Sequence, residues 1–338
     1  MKPFVTICVP TYNKSAYLKE SLLSLLNQNF GDFKLIVVDD ASADNTREVV
    51  ESFHDLRMNY VRNSSRLGMT SNWNRSLELG LKEKGQYLAI YHHDDCYSPR
   101  LLSTEVEFLE SNPKAGLVHT AAYLKEEQTG YRLLKRPYLQ DRTISAMELL
   151  DDLCRHLNYH ITTPSVLARK DAYLRAGKFD SAFKICPDLD LWWRMLEFYD
   201  LGYIAEPLVT IRISPGQVSS SKLAAENAIT QKETLKHLEK AIRRLKSKHR
   251  NFDDEYYLSK AKHYCARKVL RVAARAISAS NPERVRMGCK RAVELSREYD
   301  IILGILMLKM FNNRLGGNIL AALSRAWIYY ISRKVLRS

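Results

Sequence analysis

The chain has 338 residues, of which 46% are hydrophobic and 27% charged. These values are typical of a folded globular protein and exclude a fibrous or intrinsically disordered chain. The six cysteines form no C-x-x-C pair, and the N-terminal apolar run ends at Pro10; we therefore expect reduced thiols, no secretory signal and a cytoplasmic location.

The net charge of +14 is unevenly distributed along the chain. Residues 222–338 contain 26 Lys and Arg against 10 Asp and Glu, a net charge of +16. The first 221 residues contain 26 basic and 28 acidic side chains, a net charge of −2. This asymmetry predicts an anionic partner for the C-terminal third, such as a membrane surface, a nucleic acid or an acidic polymer.

The first 125 residues alternate strand and helix patterns. Short apolar runs such as Phe4–Pro10 and Phe33–Asp40 predict strands buried on both faces. Intervening segments such as Ser15–Gln28 have the apolar spacing of a helix. Repeated β-α-β units predict an α/β fold with a Rossmann-like, doubly wound, mostly parallel sheet, which binds ligands at the carboxyl ends of its strands.

The pattern changes after this region. Residues 131–221 mix predicted strands ("TPSVLAR", "GYIAEP" and "LVTIRI") with predicted helices ("SAMELLDDLCRHL" and "DLDLWWRMLEFY"). The segment Ser214–Ser221 is rich in Ser, Gly and Pro, which indicates a linker. We therefore predict a first domain of residues 1–221, with parts 1–125 and 126–221, and a basic, α-helical C-terminal region of residues 222–338.

Polar clusters follow three of the predicted strands: "PTYN" (Pro10–Asn13), "DDASADNT" (Asp39–Thr46) and "HHDD" (His92–Asp95). The first lacks G-x-G-x-x-G, which weakens the alternative of a nicotinamide-linked dehydrogenase. The carboxylates of "HHDD" suit Mg²⁺ or Mn²⁺ bound together with phosphates, although an isolated Asp-Asp pair is more often a helix cap or turn. Successive residues alternate faces on a strand, so at most one of the two histidines points with Asp95.

Five segments occur in the order "VTICVPTYN", "LIVVDDASADNT", "NSSRLGMTSNWNRSLELG", "GQYLAIYHHDD" and "DLDLWWRM". Together they resemble family 2 glycosyltransferases with the GT-A fold. The resemblance covers about two thirds of the chain, roughly residues 2–221. It implies that residues 1–125 form a nucleotide-binding half and residues 126–221 an acceptor-side half.

The resemblance also implies which residues contact the nucleotide sugar. Asp40 would hydrogen-bond the base, Asp94 would lie near the ribose, and Asp95 would bind the Mg²⁺ or Mn²⁺ ion that bridges the diphosphate. The full set expected to contact the nucleotide is Pro10, Thr11, Tyr12, Asn13, Asp39, Asp40, Asn74 and Asp94.

The segment "PDLDLWWRM" resembles the E-D-x-D-L-W-x-R segment of the family, which implies that Asp188 is the catalytic base. Inverting glycosyl transfer needs a carboxylate that takes the proton of the acceptor hydroxyl as it attacks the anomeric carbon. The alternative is that Asp188 caps the following helix, for which Asp190 is equally suited.

Three positions depart from the family pattern. Pro187 stands where the family has Glu, Trp73 where many relatives have the Arg of an A-R-N run, and Ser214 where relatives often have His. If that His supplies a third metal ligand in relatives, the metal site of this chain is weaker or recruits His92 or His93 instead. Pro187 and Ser214 give weight to a second hypothesis, a non-catalytic carbohydrate- or membrane-binding module with a degenerate GT-A site.

The apolar and basic pattern of the C-terminal region predicts contact with a membrane surface or with the first domain. The apolar run Ile301–Phe311 is too short to span a membrane. The last 21 residues, 318–338, combine an apolar stripe with flanking arginines, which is typical of an interfacial helix on an anionic bilayer or of a helix packed on the first domain. No nucleic-acid-binding signature is present.

For the whole chain, we expect a peripheral transferase on the cytoplasmic face of the membrane. It would move a sugar from a UDP-sugar to a saccharide or lipid-linked acceptor in cell-surface polysaccharide or glycan synthesis.

Overall fold

The computed structural model describes residues 4–156, 161–213 and 229–278, together with residues 289, 290, 292 and 294. The chain divides into two compact units, one made of Met1–Glu148 and His160–Gln217 and the other of Leu149–Tyr159 and Val218–Ser338. The predicted linker Ser214–Ser221 and the predicted segments Ile301–Phe311 and 318–338 lie outside the described residues.

The first unit is built on a ten-stranded sheet. Its strands are β1 (Val5–Thr11), β2 (Phe33–Asp39), β3 (Met58–Arg62), β4 (Tyr87–Ile90), β5 (Cys96–Tyr97), β6 (Ala115–Glu126), β7 (Arg132–Lys135), β8 (Arg142–Ile144), β9 (Leu167–Arg169) and β10 (Asp200–Ile213). They lie in the order β3-β2-β1-β4-β9-β6-β10-β5, with β7 paired to β6 and β8 paired to β10.

Nine helices are described in the two units. They are α1 (Ser15–Leu26), α2 (Thr46–Glu51), α3 (Met69–Lys82), α4 (Leu101–Ser111), α5 (Ala146–His156), α6 (Lys170–Ala176), α7 (Pro187–Met195), α8 (Ile229–Lys248) and α9 (Asp254–Ser278). A short 3₁₀ turn covers Thr163–Ser165.

The neighbouring strands β3, β2, β1 and β4 are parallel and connected through helices. Every residue of β1 is buried, as expected for an apolar strand covered on both faces. The register from Val5↔Phe33 to Thr11↔Asp39 brings the carboxyl ends of β1 and β2 side by side. This half of the sheet confirms the predicted β-α-β pattern.

The second half of the first unit differs from the sequence prediction in several elements. The segments "GYIAEP" and "LVTIRI" form one strand, β10, because register shifts on either side of Pro207 accommodate a residue without a backbone N–H. The segment "TPSVLAR" begins as the 3₁₀ turn and becomes strand only at Leu167. Helix α6, which the sequence analysis did not predict, follows β9 directly.

In the second unit, α8 and α9 pack against each other. The α8 residues Leu238, Ala241, Ile242 and Leu245 are buried. The Lys246 ammonium pairs with the Asp254 carboxylate at 2.8 Å. Within the described residues, no helix has both the length and the hydropathy needed to cross a membrane.

Candidate active site

The polar clusters predicted from the sequence lie at the carboxyl edge of the parallel strands. The segment Pro10–Asn13 ends β1, Asp39 and Asp40 end β2, and His92–Asp95 follows β4. Because β1 lies between β2 and β4, these three loops are neighbours along one edge of the sheet.

One loop at this edge gathers three potential metal ligands. Ligand atoms of His92, Asp94 and Asp95 all lie within 4.8 Å of one another. His92 Nδ1 is 3.5 Å from Asp95 Oδ2. Asp95 is 1% exposed, and its other oxygen, Oδ1, accepts a hydrogen bond from the Arg212 amide at 3.0 Å. Two carboxylates and an imidazole suit Mn²⁺ or Mg²⁺, so this donor set fits a divalent cation.

The electrostatics of the cluster agree with a cation site. Burial raises the pKa of Asp95, and the neighbouring Asp94 charge adds to this effect against the opposing contribution of His92. Burial acts to lower the pKa of His92, but Asp95, Asp94 and Asp188 together raise it above its ordinary value. Several carboxylates therefore compete for one positive partner at this position, a situation that a bound cation would relieve.

The two histidines of this loop have different partners. His93 Nδ1 lies 2.9 Å from the Pro10 carbonyl oxygen, and burial lowers the pKa of His93. His92 instead faces the carboxylates. The sequence left open which histidine joins the cluster, and the structure places His92 there.

Buried tyrosines fix the backbone of the loop. The Tyr97 hydroxyl accepts a hydrogen bond from the His92 amide at 2.8 Å and donates to the His92 carbonyl at 3.0 Å. The Tyr97 ring stacks on Tyr91 with 4.8 Å between ring centroids. The Ser21 hydroxyl of α1 donates to the same carbonyl at 3.1 Å. His92 is therefore held at its main chain as well as through its ring.

The loop after β1 forms the next part of the site. Tyr12 is half-buried, and the Arg66 guanidinium carbon lies 4.2 Å from the centroid of its ring. Asn13 is exposed with a φ of +49°, and its side-chain oxygen accepts a hydrogen bond from the Ala43 amide at 2.8 Å. Thr11 is 1% exposed. Tyr12 and Asn13 are thus the accessible members of the segment.

Asp39 and Asp40 both lie in hydrogen-bond networks within the chain. Asp39 Oδ1 accepts from the Ser42 hydroxyl at 2.5 Å, and its Oδ2 accepts from the Tyr60 hydroxyl at 2.6 Å. Asp40 is 2% exposed. Its carboxylate accepts hydrogen bonds from the Leu67 amide at 2.7 Å and from the Gly68 amide and Asn63 Nδ2, both at 2.8 Å. Asp40 therefore orders the segment that leads into α3, and its contact with a base stays a prediction.

The predicted nucleotide contact Asn74 bridges α3 and the segment before α7. Its Nδ2 donates to the Phe179 carbonyl at 3.0 Å, and its Oδ1 accepts from the Phe179 amide at 2.8 Å. The Phe179 ring packs edge-on against Trp73 at 5.3 Å, and Trp73 lies 5.6 Å from the His92 ring. Asn74 thus supports an aromatic wall beside the candidate metal ligands.

Asp188 lies in the first turn of α7, where Cys186 is the N-cap and makes no side-chain capping bond. Asp190 is paired with Arg194 at 2.8 Å, whereas Asp188 Oδ2 accepts a hydrogen bond from the Thr163 hydroxyl at 2.6 Å. Burial raises the pKa of Asp188, against the effects of Thr163 and His92. The half-buried carboxylate thus acts electrostatically on the metal-ligand cluster, from a position other than the helix cap.

Comparison with known proteins identifies the family. The model of "Glycosyl transferase family 2" matches residues 6–175 of the chain, about half of its length. The chain belongs to glycosyltransferase family 2. This confirms the family resemblance and favours glycosyl transfer over the dehydrogenase alternative.

Individual relatives agree with this membership. An uncharacterized glycosyltransferase of Rickettsia typhi is 27% identical over 227 residues, which are 65% of this chain and 67% of the relative. An uncharacterized glycosyltransferase of Haemophilus influenzae is 25% identical over 229 residues, 67% of this chain and 74% of the relative.

Solved structures support the GT-A fold. The crystal structure of S. aureus TarS 1–349 in complex with UDP-GlcNAc superposes on this chain with a TM-score of 0.61 at 16% identity. The superposition covers 91% of this chain and 90% of that one. The Pyrobaculum calidifontis mannosyltransferase PcManGT, bound to GDP-Man and Mn²⁺, gives a TM-score of 0.51 at 19% identity, over 97% of this chain and 88% of that one. The predicted α/β GT-A fold is confirmed.

Two residues of this glycosyltransferase support the site through contacts that the sequence analysis did not predict. Arg212 holds Asp95 through its backbone amide, and Thr163 holds Asp188. Thr163 falls in the segment "TPSVLAR", which was predicted only as a strand. Of the three family departures, Pro187 begins α7 and Trp73 packs beside His92, whereas Ser214 lies outside the described residues.

Proposed function

We propose that this glycosyltransferase moves a sugar from a nucleoside-diphosphate sugar, with UDP as the nucleotide, to a hydroxyl of a saccharide or lipid-linked acceptor. The observation that carries the proposal is the cluster of His92, Asp94 and Asp95 at the carboxyl edge of the sheet, with Asp188 acting electrostatically on His92. The UDP-GlcNAc and UDP bound by S. aureus TarS, a structural neighbour, support a nucleotide-sugar donor.

The residues that would hold a metal are Asp95, Asp94 and His92, with Asp95 as the central ligand. Their oxygen and nitrogen donors suit Mg²⁺ or Mn²⁺, and the Mn²⁺ of PcManGT supports this choice. When bound, the ion supplies positive charge that stabilises the departing nucleoside diphosphate.

In this proposal, Asp188 is the general base. Its carboxylate takes the proton of the acceptor hydroxyl while the hydroxyl oxygen attacks the anomeric carbon opposite the diphosphate. The new C–O bond forms as the bond to the diphosphate oxygen breaks, so the configuration inverts and the proton remains on Asp188. The burial that raises the pKa of Asp188 makes it a stronger base than an exposed aspartate.

The loop after β1 supplies the proposed nucleoside contacts. Tyr12 and Asn13 are accessible, whereas Asp39, Asp40 and Asn74 already make hydrogen bonds within the chain. We therefore assign stacking and hydrogen bonding of the nucleoside first to Tyr12 and Asn13. We also keep the proposal that the nucleotide contacts the remaining predicted residues, which are Pro10, Thr11, Asp39, Asp40, Asn74 and Asp94.

The test is diphosphate release from a panel of UDP-, GDP- and dTDP-sugars with Mn²⁺ or Mg²⁺. We expect release with one nucleotide class, loss of release in EDTA, and a fall of roughly 10²–10⁴-fold in Asp188→Asn with donor binding retained, because only proton transfer is removed. Asp95→Asn should weaken Mn²⁺ binding, measured by calorimetry.

A matched pair of variants tests the histidine assignment. His92→Ala should weaken Mn²⁺ binding, whereas His93→Asn, whose amide can still hydrogen-bond to Pro10, should not. Equal effects of the two variants would contradict the ligand role of His92. If no donor released diphosphate under any condition, the non-catalytic module would be the better description.

We also propose a peripheral position on the cytoplasmic face of the membrane, within cell-surface polysaccharide or glycan synthesis. The support is the charge of the C-terminal third and four exposed basic residues in the last turns of α8 and just after it, namely Arg243, Lys246, Lys248 and Arg250. Clustered basic side chains bind anionic lipid surfaces. The alternative is that these basic side chains are only solvated and bind no membrane.

A further inference from the structure

Asp188 is held by a short chain of side-chain hydrogen bonds. Thr163 Oγ1 lies 2.6 Å from Asp188 Oδ2, and Trp192 Nε1 lies 3.4 Å from the same Thr163 oxygen. An indole N–H can only donate a hydrogen bond. The Thr163 oxygen therefore accepts from Trp192 and directs its own proton to Asp188, which fixes the direction of both hydrogen bonds.

Buried elements support this pair of donors. Trp192 is 2% exposed, and its ring packs edge-on against Tyr173 at 6.3 Å and Phe179 at 6.4 Å. Thr163 begins the 3₁₀ turn, in which the Ser165 hydroxyl accepts from the Thr120 amide of β6 at 3.0 Å. The Thr163 hydroxyl is therefore presented to Asp188 from a turn attached to the central sheet.

Resting on the proposed function, we propose that Thr163 is a positioning residue for the general base Asp188 and that Trp192 orients it. A hydroxyl that donates to one carboxylate oxygen fixes the plane of the carboxylate and favours its charged form. A general base must be both charged and correctly oriented when the acceptor hydroxyl arrives. The Thr163 hydroxyl serves both requirements.

Groups other than Thr163 also affect the pKa of Asp188, and the experiment must separate their effects from that of the Thr163 hydroxyl. Burial raises the pKa of Asp188, and the charge of His92 and backbone amides of α7 oppose this effect. Asp190 on the same helix is paired with Arg194 at 2.8 Å. Loss of the Thr163 hydroxyl leaves burial less opposed, so the pKa of Asp188 should rise while these other groups stay in place.

The experiment compares Thr163→Val, which removes the hydroxyl but keeps the side-chain shape, with Thr163→Ser, which keeps the hydroxyl. We expect kcat of the Val variant to fall about tenfold or more, with the KM for the donor unchanged, because the lost bond is to a charged group. The acidic limb of its kcat profile should move to higher pH, and the Ser variant should restore both values.

Trp192→Phe provides a second reading if the Val variant fails to fold. It keeps an aromatic ring but removes the N–H, so kcat should fall below the wild-type value, again without a change in donor KM, and a wild-type kcat and pH profile would overturn the role of Trp192. The inference is overturned if the Val variant keeps wild-type kcat and pH profile, or if Ser rescues nothing.

A readout without turnover separates this inference from the proposed function. If the wild type releases no diphosphate from any donor, the proposed function fails. The pKa of Asp188 is then followed by ¹³C-carboxylate NMR of the full chain, with the signal assigned by its absence in Asp188→Asn. A higher pKa in Thr163→Val than in Thr163→Ser supports the positioning role, and equal values overturn it.

Discussion

Glu105 lies on α4 with none of its surface exposed, and its Oε2 accepts a hydrogen bond from the Tyr91 hydroxyl at 2.7 Å. Burial raises the pKa of Glu105 well above its usual range, against the smaller effect of the Tyr91 hydrogen bond. The group therefore stays protonated in the folded protein at a pH where the unfolded chain has lost the proton. Tyr91 in turn stacks on Tyr97, which holds the His92 backbone.

This carboxyl makes stability depend on pH. Between the unfolded and folded pKa values the native state binds more protons than the unfolded state, so the free energy of unfolding decreases as pH rises. Glu105→Gln keeps a neutral group of similar shape and removes this dependence. We expect the stability of the variant relative to wild type to increase between about pH 5 and about pH 8 in urea denaturation.

The control for this prediction is Glu107→Gln on the same helix, because Glu107 is exposed. Its stability relative to wild type should be nearly constant over the same interval. A Glu105→Gln variant with the wild-type pH slope would show that Glu105 is ionised in the native protein.

At the scale of elements, α3 approaches the sheet unusually closely. Gly80 is buried, and a Cβ at this position would lie 2.5 Å from Leu88 Cδ1 and 3.0 Å from Cys8 Sγ. Both neighbours are 0% exposed, so neither side chain can move into solvent. The absence of a side chain at Gly80 therefore sets how near α3 lies to β1 and β4.

We predict that Gly80→Ala destabilises the protein. The gain in helix propensity of about 0.5–1 kcal/mol is outweighed by overpacking, which typically costs about 1–3 kcal/mol. Gly31→Ala is the matched control, because a Cβ there would meet nothing within 4 Å. Urea denaturation of both variants measures the effect, and a Gly80→Ala variant as stable as wild type would show that the core repacks freely.

At the scale of the whole molecule, the candidate active site and the excess positive charge lie in different parts of the sequence. The first 221 residues carry a net charge of −2 and contain the candidate site, whereas residues 222–338 carry +16. Such a charge attracts anionic surfaces over a distance set by ionic strength.

We predict salt-dependent binding of the full chain to anionic vesicles. Cosedimentation should be strong with phosphatidylglycerol-containing vesicles at low salt, weak with purely zwitterionic vesicles, and reduced as salt rises. Replacing Arg243, Lys248 and Arg250 by Gln should weaken binding more than replacing three basic residues of the first unit. Equal sedimentation with both vesicle types would contradict electrostatic membrane attachment.

The sequence by itself determined the α/β class, the order of the motifs and the identity of the acidic residues, because local periodicity and short motifs carry that information. Tertiary structure decided their partners. His92 rather than His93 joins the carboxylates, Asn74 binds Phe179 across 105 positions, and Arg212 binds Asp95 across 117. Local patterns cannot encode distances between residues so far apart in the chain, so Thr163, 25 positions from Asp188, became identifiable as its partner only once the fold brought them together.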